Sequence, residues 1–336
     1  MSVAVVKAGA RTAVGLDARQ TGFLLRAGFP AMCEAPLADA SGEPISMGLV
    51  PTIDPRLVGP ERLGALARAP FEEAAAPVSD LSVEVHVTLD EGYPDLLLAR
   101  GILQAMVKRV VPGATVTVEA RGEAALGALL PAAIRSLAAR RVDAVVLGGV
   151  HSDYDPAAIA ALEASGRLFS TDNLDARIPG EAAAFFLLMR EADASRRGLA
   201  PLARVLGTGA GVERATPDND DPASEAFGLS TAVRLATEPL ARTGQTAGWM
   251  LTDLTFEMRR LHEWESTWVR AQKVLGRPYV IEAPAQRIGY LGAAALPLFV
   301  VMAATAWEHG YAPSPTALAT AGADAGERAA LVLTRV

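Results

Sequence analysis

The chain has 336 residues and a net charge of −7, with 31 Lys and Arg against 38 Asp and Glu. No basic run offers an electrostatic footprint for nucleic acid. A composition that is 51% hydrophobic and 21% charged is globular, not disordered, and the single Cys excludes an intrachain disulfide.

The opening MSVAVVKAGAR holds no apolar core of signal-peptide length before its first basic residues, so a cytoplasmic location is expected. Residues 3–6 form a short β-branched run that Gly9 is expected to break, and residues 20–27 read as a helix. Residues 28–60 are rich in Pro, Gly and Ala, with two short apolar runs around Ala40-Ser41-Gly42 that predict a hairpin holding Cys33. Residues 61–75 carry Leu63, Leu66, Ala67 and Phe71 on one helical stripe. Residues 82–89 alternate Val with Glu84, His86 and Thr88, a half-buried strand with His86 on its solvent face. A helix (94–111), a strand (114–118), an Ala-rich helix (122–139) and a strand (144–147) follow. Strands alternating with helices predict a mostly parallel sheet covered on both faces.

The second half repeats the theme. A strand (202–207) runs into GTGAG, an acidic loop (213–223) follows, and Ser224 is a candidate N-cap for a helix to Thr243. Then come a strand (249–254), an amphipathic helix (257–275), a short extended piece (279–281), a long apolar segment (288–307) and a terminal strand (329–334). The apolar segment is long enough to span a membrane. Its Ala and Gly content and Pro297 read instead as a helix buried on all sides, and no membrane association is expected. GTGAG lacks the Lys and Ser or Thr of a phosphate loop. RGEAALGALLPAAIRSLAA, from Arg121, echoes RIGYLGAAALPLFVVMAATA, from Arg287.

Between these halves lie Asp143 with Gly148-Gly149, then Gly180-Glu181-Ala182-Ala183-Ala184, then the acidic-basic stretch from Glu191 to Gly198. Their order and spacing resemble the β-ketoacyl synthases of the thiolase superfamily, across nearly the whole chain and most weakly over residues 28–81. The resemblance implies an α/β thiolase fold. It would be one domain of two duplicated βαβαβ halves, about 1–198 and 199–336, stacked as an α-β-α-β-α sandwich around buried central helices.

Such synthases use a Cys at the N-terminus of the first buried helix, where the helix end stabilises a thiolate, and two His residues. At the matching positions this chain has Glu123, Asp253 and Tyr290. The resemblance therefore implies a catalytically inactive relative with a vestigial pocket. The three replacements are expected to converge on one cleft, where two carboxylates and a phenol can do acid/base work. Against that stand plainer roles: Glu123 as a helix-terminal acid and Tyr290 as a plug. Decarboxylating relatives that lack the Cys keep both His residues, and this chain keeps neither. Cys33 sits outside any helix N-terminus. His262 reads as a surface residue, His309 as a C-terminal helix cation, and His151, just after Gly149, as a candidate to face the pocket. No metal-ligand spacing or cofactor motif is present.

The function implied is binding or assembly: a homodimer through the sheet edge near residues 114–118, or a partner of a ketosynthase or acyl carrier protein, as chain-length factors are. Short thiolase-like proteins without the triad also accompany type VI secretion effectors, which implies an adaptor for secreted cargo. The alternative is an acyltransferase-class enzyme on acyl thioesters with a non-Cys site. Trp264 and Trp268, at i,i+4 spacing beside Arg260, form a candidate interface. A Trp stripe packed on the body of the protein is the competing placement.

Overall fold

The computed structural model describes residues 2–217, 219 and 226–336. The chain opens with β1 (Val3–Thr12) and α1 (Ala18–Arg26), where the Asp17 carboxylate caps the helix by accepting the Gln20 N–H. A hairpin follows, β2 (Cys33–Ala38) and β3 (Pro44–Met47), its turn held by the Asp39 carboxylate accepting the Ser41 and Glu43 N–H groups. Next come α2 (Gly59–Ala75), β4 (Val83–Leu89), α3 (Leu96–Val110) and β5 (Thr115–Ala120). The first half closes with α4 (Leu126–Ala138), β6 (Ala144–Ser152), α5 (Pro156–Ala164) and β7 (Glu181–Arg190). After α6 (Glu191–Arg196) the second half runs β8 (Ala203–Val212), α7 (Phe227–Thr243), β9 (Ala247–Thr252), α8 (Met258–Ala271) and β10 (Leu275–Glu282). It ends with α9 (Ala285–Ile288), α10 (Ala295–Glu308), β11 (Thr316–Gly322) and β12 (Glu327–Arg335).

The strands form one chain of pairings, β10-β9-β11-β12-β8-β1-β7-β6-β4-β5. Each half contributes five strands in the same internal order, third-second-fourth-fifth-first, so the duplication is visible in the topology. The two halves meet in the sheet only where β1 runs antiparallel to β8, at Ala4↔Arg204 and Val5↔Ala203.

Three apolar clusters build the layers. The outer helices α2 and α3 pack on one face of the first half, through Leu63, Leu66, Phe71, Leu103 and Val107 against Val83, Val85 and Phe185. On the far side, α7 packs Leu229, Val233 and Leu240 on Met250, Leu318 and Val332. Between the two sheets lie α4 and α10, contributing Leu126, Leu130, Leu296, Phe299 and Val300 to a core shared with Leu147, Phe186, Trp249 and Leu331. The order of layers is α-β-α-β-α. Every described residue of α10 from Ala295 to Trp307 is buried, and among the described residues no helix is long and apolar enough to cross a membrane.

Several element readings change. Gly9 does not end β1; a Cβ there would lie 2.1 Å from the Pro70 carbonyl oxygen, so the glycine admits α2 against the strand. β6 continues through Gly148-Gly149 to Ser152, because a Cβ on Gly149 would meet the Ala293 carbonyl at 2.0 Å. β11 is an additional strand, TALATAG, buried throughout; its Ala and Thr carry little strand signal without their neighbours. Ser224 lies outside the described residues, as does the acidic 218–221 stretch apart from Asn219.

Candidate functional site

Acids stand where strands end. Asp90 follows β4, Asp153 follows β6, Asp253 follows β9, Asp324 comes two residues after β11, and Glu123 three after β5. β4 is parallel to β5 and β6, and β9 is parallel to β10 and β11, so these acids share the carboxyl ends of their sheets. That is the edge at which parallel α/β sheets bind ligands. Here it encloses a cavity of about 110 Å³ between the two halves.

Glu123 lies in the turn leading into α4 and is 5% exposed. Burial, with the nearby charges of Asp324 and Asp90, pushes its carboxyl up to about 8. Tyr290 stacks its ring edge-on to His151 at 5.0 Å and carries the Arg177 guanidinium 3.9 Å above its face. Both side chains line the cavity.

His151 is 2% exposed, with Nδ1 2.5 Å from Asp90 Oδ2 and Nε2 3.0 Å from Asp153 Oδ2. Burial alone would lower its pKa, but the two carboxylates outweigh that and raise it to about 10. The ring is an imidazolium with both N–H groups committed. Burial opposes the Asp153 charge, yet His151 holds its carboxyl below the usual range, and Asp153 also accepts the Gly180 N–H at 3.1 Å. Asp90 Oδ1 accepts the Ala293 N–H at 2.8 Å, tying the clamp to the approach to α10. On the opposite wall Asp324 takes two bonds from Arg167, 2.6 and 3.1 Å, and one from Arg177 at 3.4 Å. These outweigh its burial and bring its carboxyl down to about 2.

Asp253 does not join Glu123 and Tyr290 in the cavity. Its carboxylate accepts from Arg260 Nη2 at 2.7 Å and from the Gly322 N–H at 2.8 Å, which hold it behind the wall. Arg260 in turn leaves the candidate interface. It is 7% exposed and also donates to Glu263 at 2.6 Å, because a buried guanidinium needs carboxylate partners. Trp264 and Trp268 are half-buried, rings 4.8 Å apart, with Trp268 packed edge-on to Tyr279 at 4.3 Å. They pack on the body of the protein.

Cys33 is exposed on the hairpin. His262 is exposed beside Glu265 at 3.7 Å, and His309 caps the end of α10 beside Phe23. His86 does not face open solvent: it is half-buried on β4, a strand paired on both sides, its Nδ1 has no partner, and burial lowers its pKa. Among the described residues no three His, Cys, Asp or Glu converge as metal donors.

Glu181, in the Gly180-Glu181 motif, is fully buried and anchors this region. It pairs with Arg62 through two contacts, one of 2.8 Å, and accepts from Ser152 Oγ at 2.7 Å and from the Val50 N–H at 3.0 Å. The sequence reading missed Asp90, Asp153, Arg177 and Asp324. Asp90 alone carried a signal, an acid directly after the strand read over 82–89; Asp153 and Asp324 follow strand ends that the sequence did not mark, and Arg177, in the loop before β7, had none.

No family model matches the chain, and no curated protein matches it. Solved structures do. The ketosynthase from module 6 of the bacillaene synthase of Bacillus subtilis 168 superposes at a TM-score of 0.80 with 15% identity, over 100% of this chain and 72% of that one. The ishigamide ketosynthase/chain length factor gives 0.79 and 19%, over 100% and 99%. A type II polyketide synthase ketosynthase, solved with its acyl-carrier protein, gives 0.80 and 15%, over 100% and 99%. At these identities the likeness is one of fold: the chain is built on the thiolase-like scaffold of the ketosynthases.

Proposed function

We propose that this protein is a non-condensing ketosynthase-fold subunit that works by binding a partner protein. One observation carries the reading: the turn that enters α4, where a condensing enzyme needs a thiolate, holds the buried and largely protonated carboxyl of Glu123. A carboxyl cannot hold a thioester-bound acyl chain. The imidazole that lines the cavity is not free to help, since both nitrogens of His151 are engaged. The sole sulfur nucleophile, Cys33, is on an exposed hairpin strand. Two neighbours lend support: one is titled a ketosynthase/chain length factor, another a ketosynthase with its acyl-carrier protein. The partner is a ketosynthase or acyl carrier protein, a second copy of the chain, or secreted cargo.

Two measurements test this. Intact mass after incubation with acyl and malonyl thioesters, on coenzyme A and on carrier protein, is expected to show no adduct. Native purification from the source cell is expected to yield a stoichiometric partner. An acyl adduct at Glu123, or turnover lost in Glu123→Ala, would overturn the proposal. A second reading, an acyl-thioester hydrolase or decarboxylase, draws on the Glu123 proton, which is held near neutral pH as a general acid requires. Thioester turnover in the same incubations would favour it.

A further inference from the structure

We propose that a groove on the outer face of the first half binds a small monocarboxylate with a short aliphatic chain, with Arg11 as its counter-ion. The groove shares no lining residue with the central cavity, so this goes beyond the partner-binding reading and does not rest on it.

The groove lies between α2 and α3, beside the end of β1, and encloses about 720 Å³. Residues three, four and seven apart share one face of a helix. On α2 that face carries Gly64, Ala65 and Ala69, and on α3 it carries Ala105, side chains too small to fill the space between the helices. Ile53, Leu57, Ile102 and Met106 give it apolar walls. Room for on the order of twenty water-sized groups admits an aliphatic chain of several carbons.

Arg11 lines this groove and is under-satisfied. A guanidinium has five N–H donors, and two of these are used: Nη1 donates to the Ala65 carbonyl at 3.3 Å and Nη2 to the Thr52 hydroxyl at 2.6 Å. Its Nε is buried without a partner. Burial pulls the half-buried guanidinium below its ordinary pKa, and the charge of Glu181 offsets this only in part. Glu181 itself is taken by Arg62. A charge removed from water without a paired anion costs free energy that a ligand carboxylate recovers.

Two other arginines show what the open edge suits. Arg62 holds Glu181, and Arg204 holds Glu191, side-on through Nε and Nη2 together. That geometry is the strong, bidentate one. On Arg11 the same edge is covered by the Thr52 hydroxyl alone, and Thr52 is exposed in the loop before α2. Rotation of the Thr52 side chain clears the edge, and its hydroxyl then donates to the incoming carboxylate. The lining holds three guanidiniums, Arg11, Arg68 and Arg109, and three carboxylates, Asp54, Glu61 and Glu72. Asp54 is spent on Arg56, outside the lining, at 2.7 Å, which leaves positive charge in excess. Exposed Arg68 and Arg109 draw an anion toward the groove.

The test is calorimetric titration of the intact protein at pH 7 with octanoate, below the concentration at which it forms micelles, beside octanol, octylammonium and acetate. Octanoate should bind saturably, one per chain. Octanol lacks the charge and acetate lacks the chain, so each should bind at least about tenfold more weakly, and octylammonium should not bind. Arg11→Met keeps the aliphatic stem and removes the charge. It should weaken octanoate at least about tenfold and leave octanol unchanged. Ala105→Phe fills the groove from an exposed position on α3 and leaves Arg11 intact. It should abolish octanoate binding at an unchanged melting temperature, which keeps the site testable if Arg11→Met does not fold. The proposal is overturned by an absence of saturable octanoate binding, by octanol binding as tightly as octanoate, or by octanoate binding that either folded variant leaves unchanged.

Discussion

Glu123 and His151 both push the pH response of the folded chain in one direction. Glu123 is raised from 4.5 to about 8, so between those values the folded chain holds a proton that the unfolded chain has released. Stability therefore falls as pH rises through that window. Glu123→Gln removes this slope; it should gain on the order of 4 kcal/mol over the parent at pH 8 and nothing at pH 4, measured by urea unfolding. His151 is raised from 6.5 to about 10, so its stabilisation is full below 6.5 and lost as pH climbs through 10. Nitrogen NMR of the ring should report imidazolium up to pH 9, and a neutral ring at pH 8 would refute the double clamp. These residues were only partly legible in the sequence. Glu123 and Tyr290 were found because the resemblance to the β-ketoacyl synthases places the Cys and second His positions there. Asp253 was expected in the cleft but is held behind its wall, because Arg260, seven residues further on, takes its carboxylate. The clamp on His151 joins Asp90 to Asp153 across two strand ends, and no local pattern announces such a pair.

At the scale of elements, amphipathic and alternating segments were legible, and the misreadings involve small residues. Gly9 and Gly149 look like stops but are sites where backbone meets backbone, Gly148 makes room for the Phe185 ring, and β11 is Ala and Thr with no polar face to give it a period. The outer helix α2 is pinned to the strands by Arg62, which is 1% exposed, bonded to Glu181 and stacked 3.8 Å over the Tyr154 ring. Removing one partner of such a pair strands the other charge. Arg62→Met should cost about 3–5 kcal/mol in urea unfolding, and Arg62→Met with Glu181→Met should recover most of it. Equal losses in the single and double variants would mean that packing, not charge, is what α2 needs.

For the whole molecule, β5 is an end strand, paired on one side only, by β4. An unpaired edge invites a second chain unless charge blunts it. In sedimentation the protein should behave as a pair of 35.0 kDa chains, and Thr115→Lys with Thr117→Lys should return single chains. A parent that sediments as one chain removes self-association from the proposed partners. The junction of β1 with β8 has a different consequence. Two residue pairs cannot hold two five-stranded sheets together, so the halves adhere through the shared layer of α4 and α10, whose side chains reach both sheets. Each half expressed alone would expose half of an oily interior and aggregate. A protease nick in the connector near Gly198 would leave two fragments that migrate together until denaturant separates them, so the polypeptide behaves as an obligate heterodimer whose subunits happen to share one peptide bond.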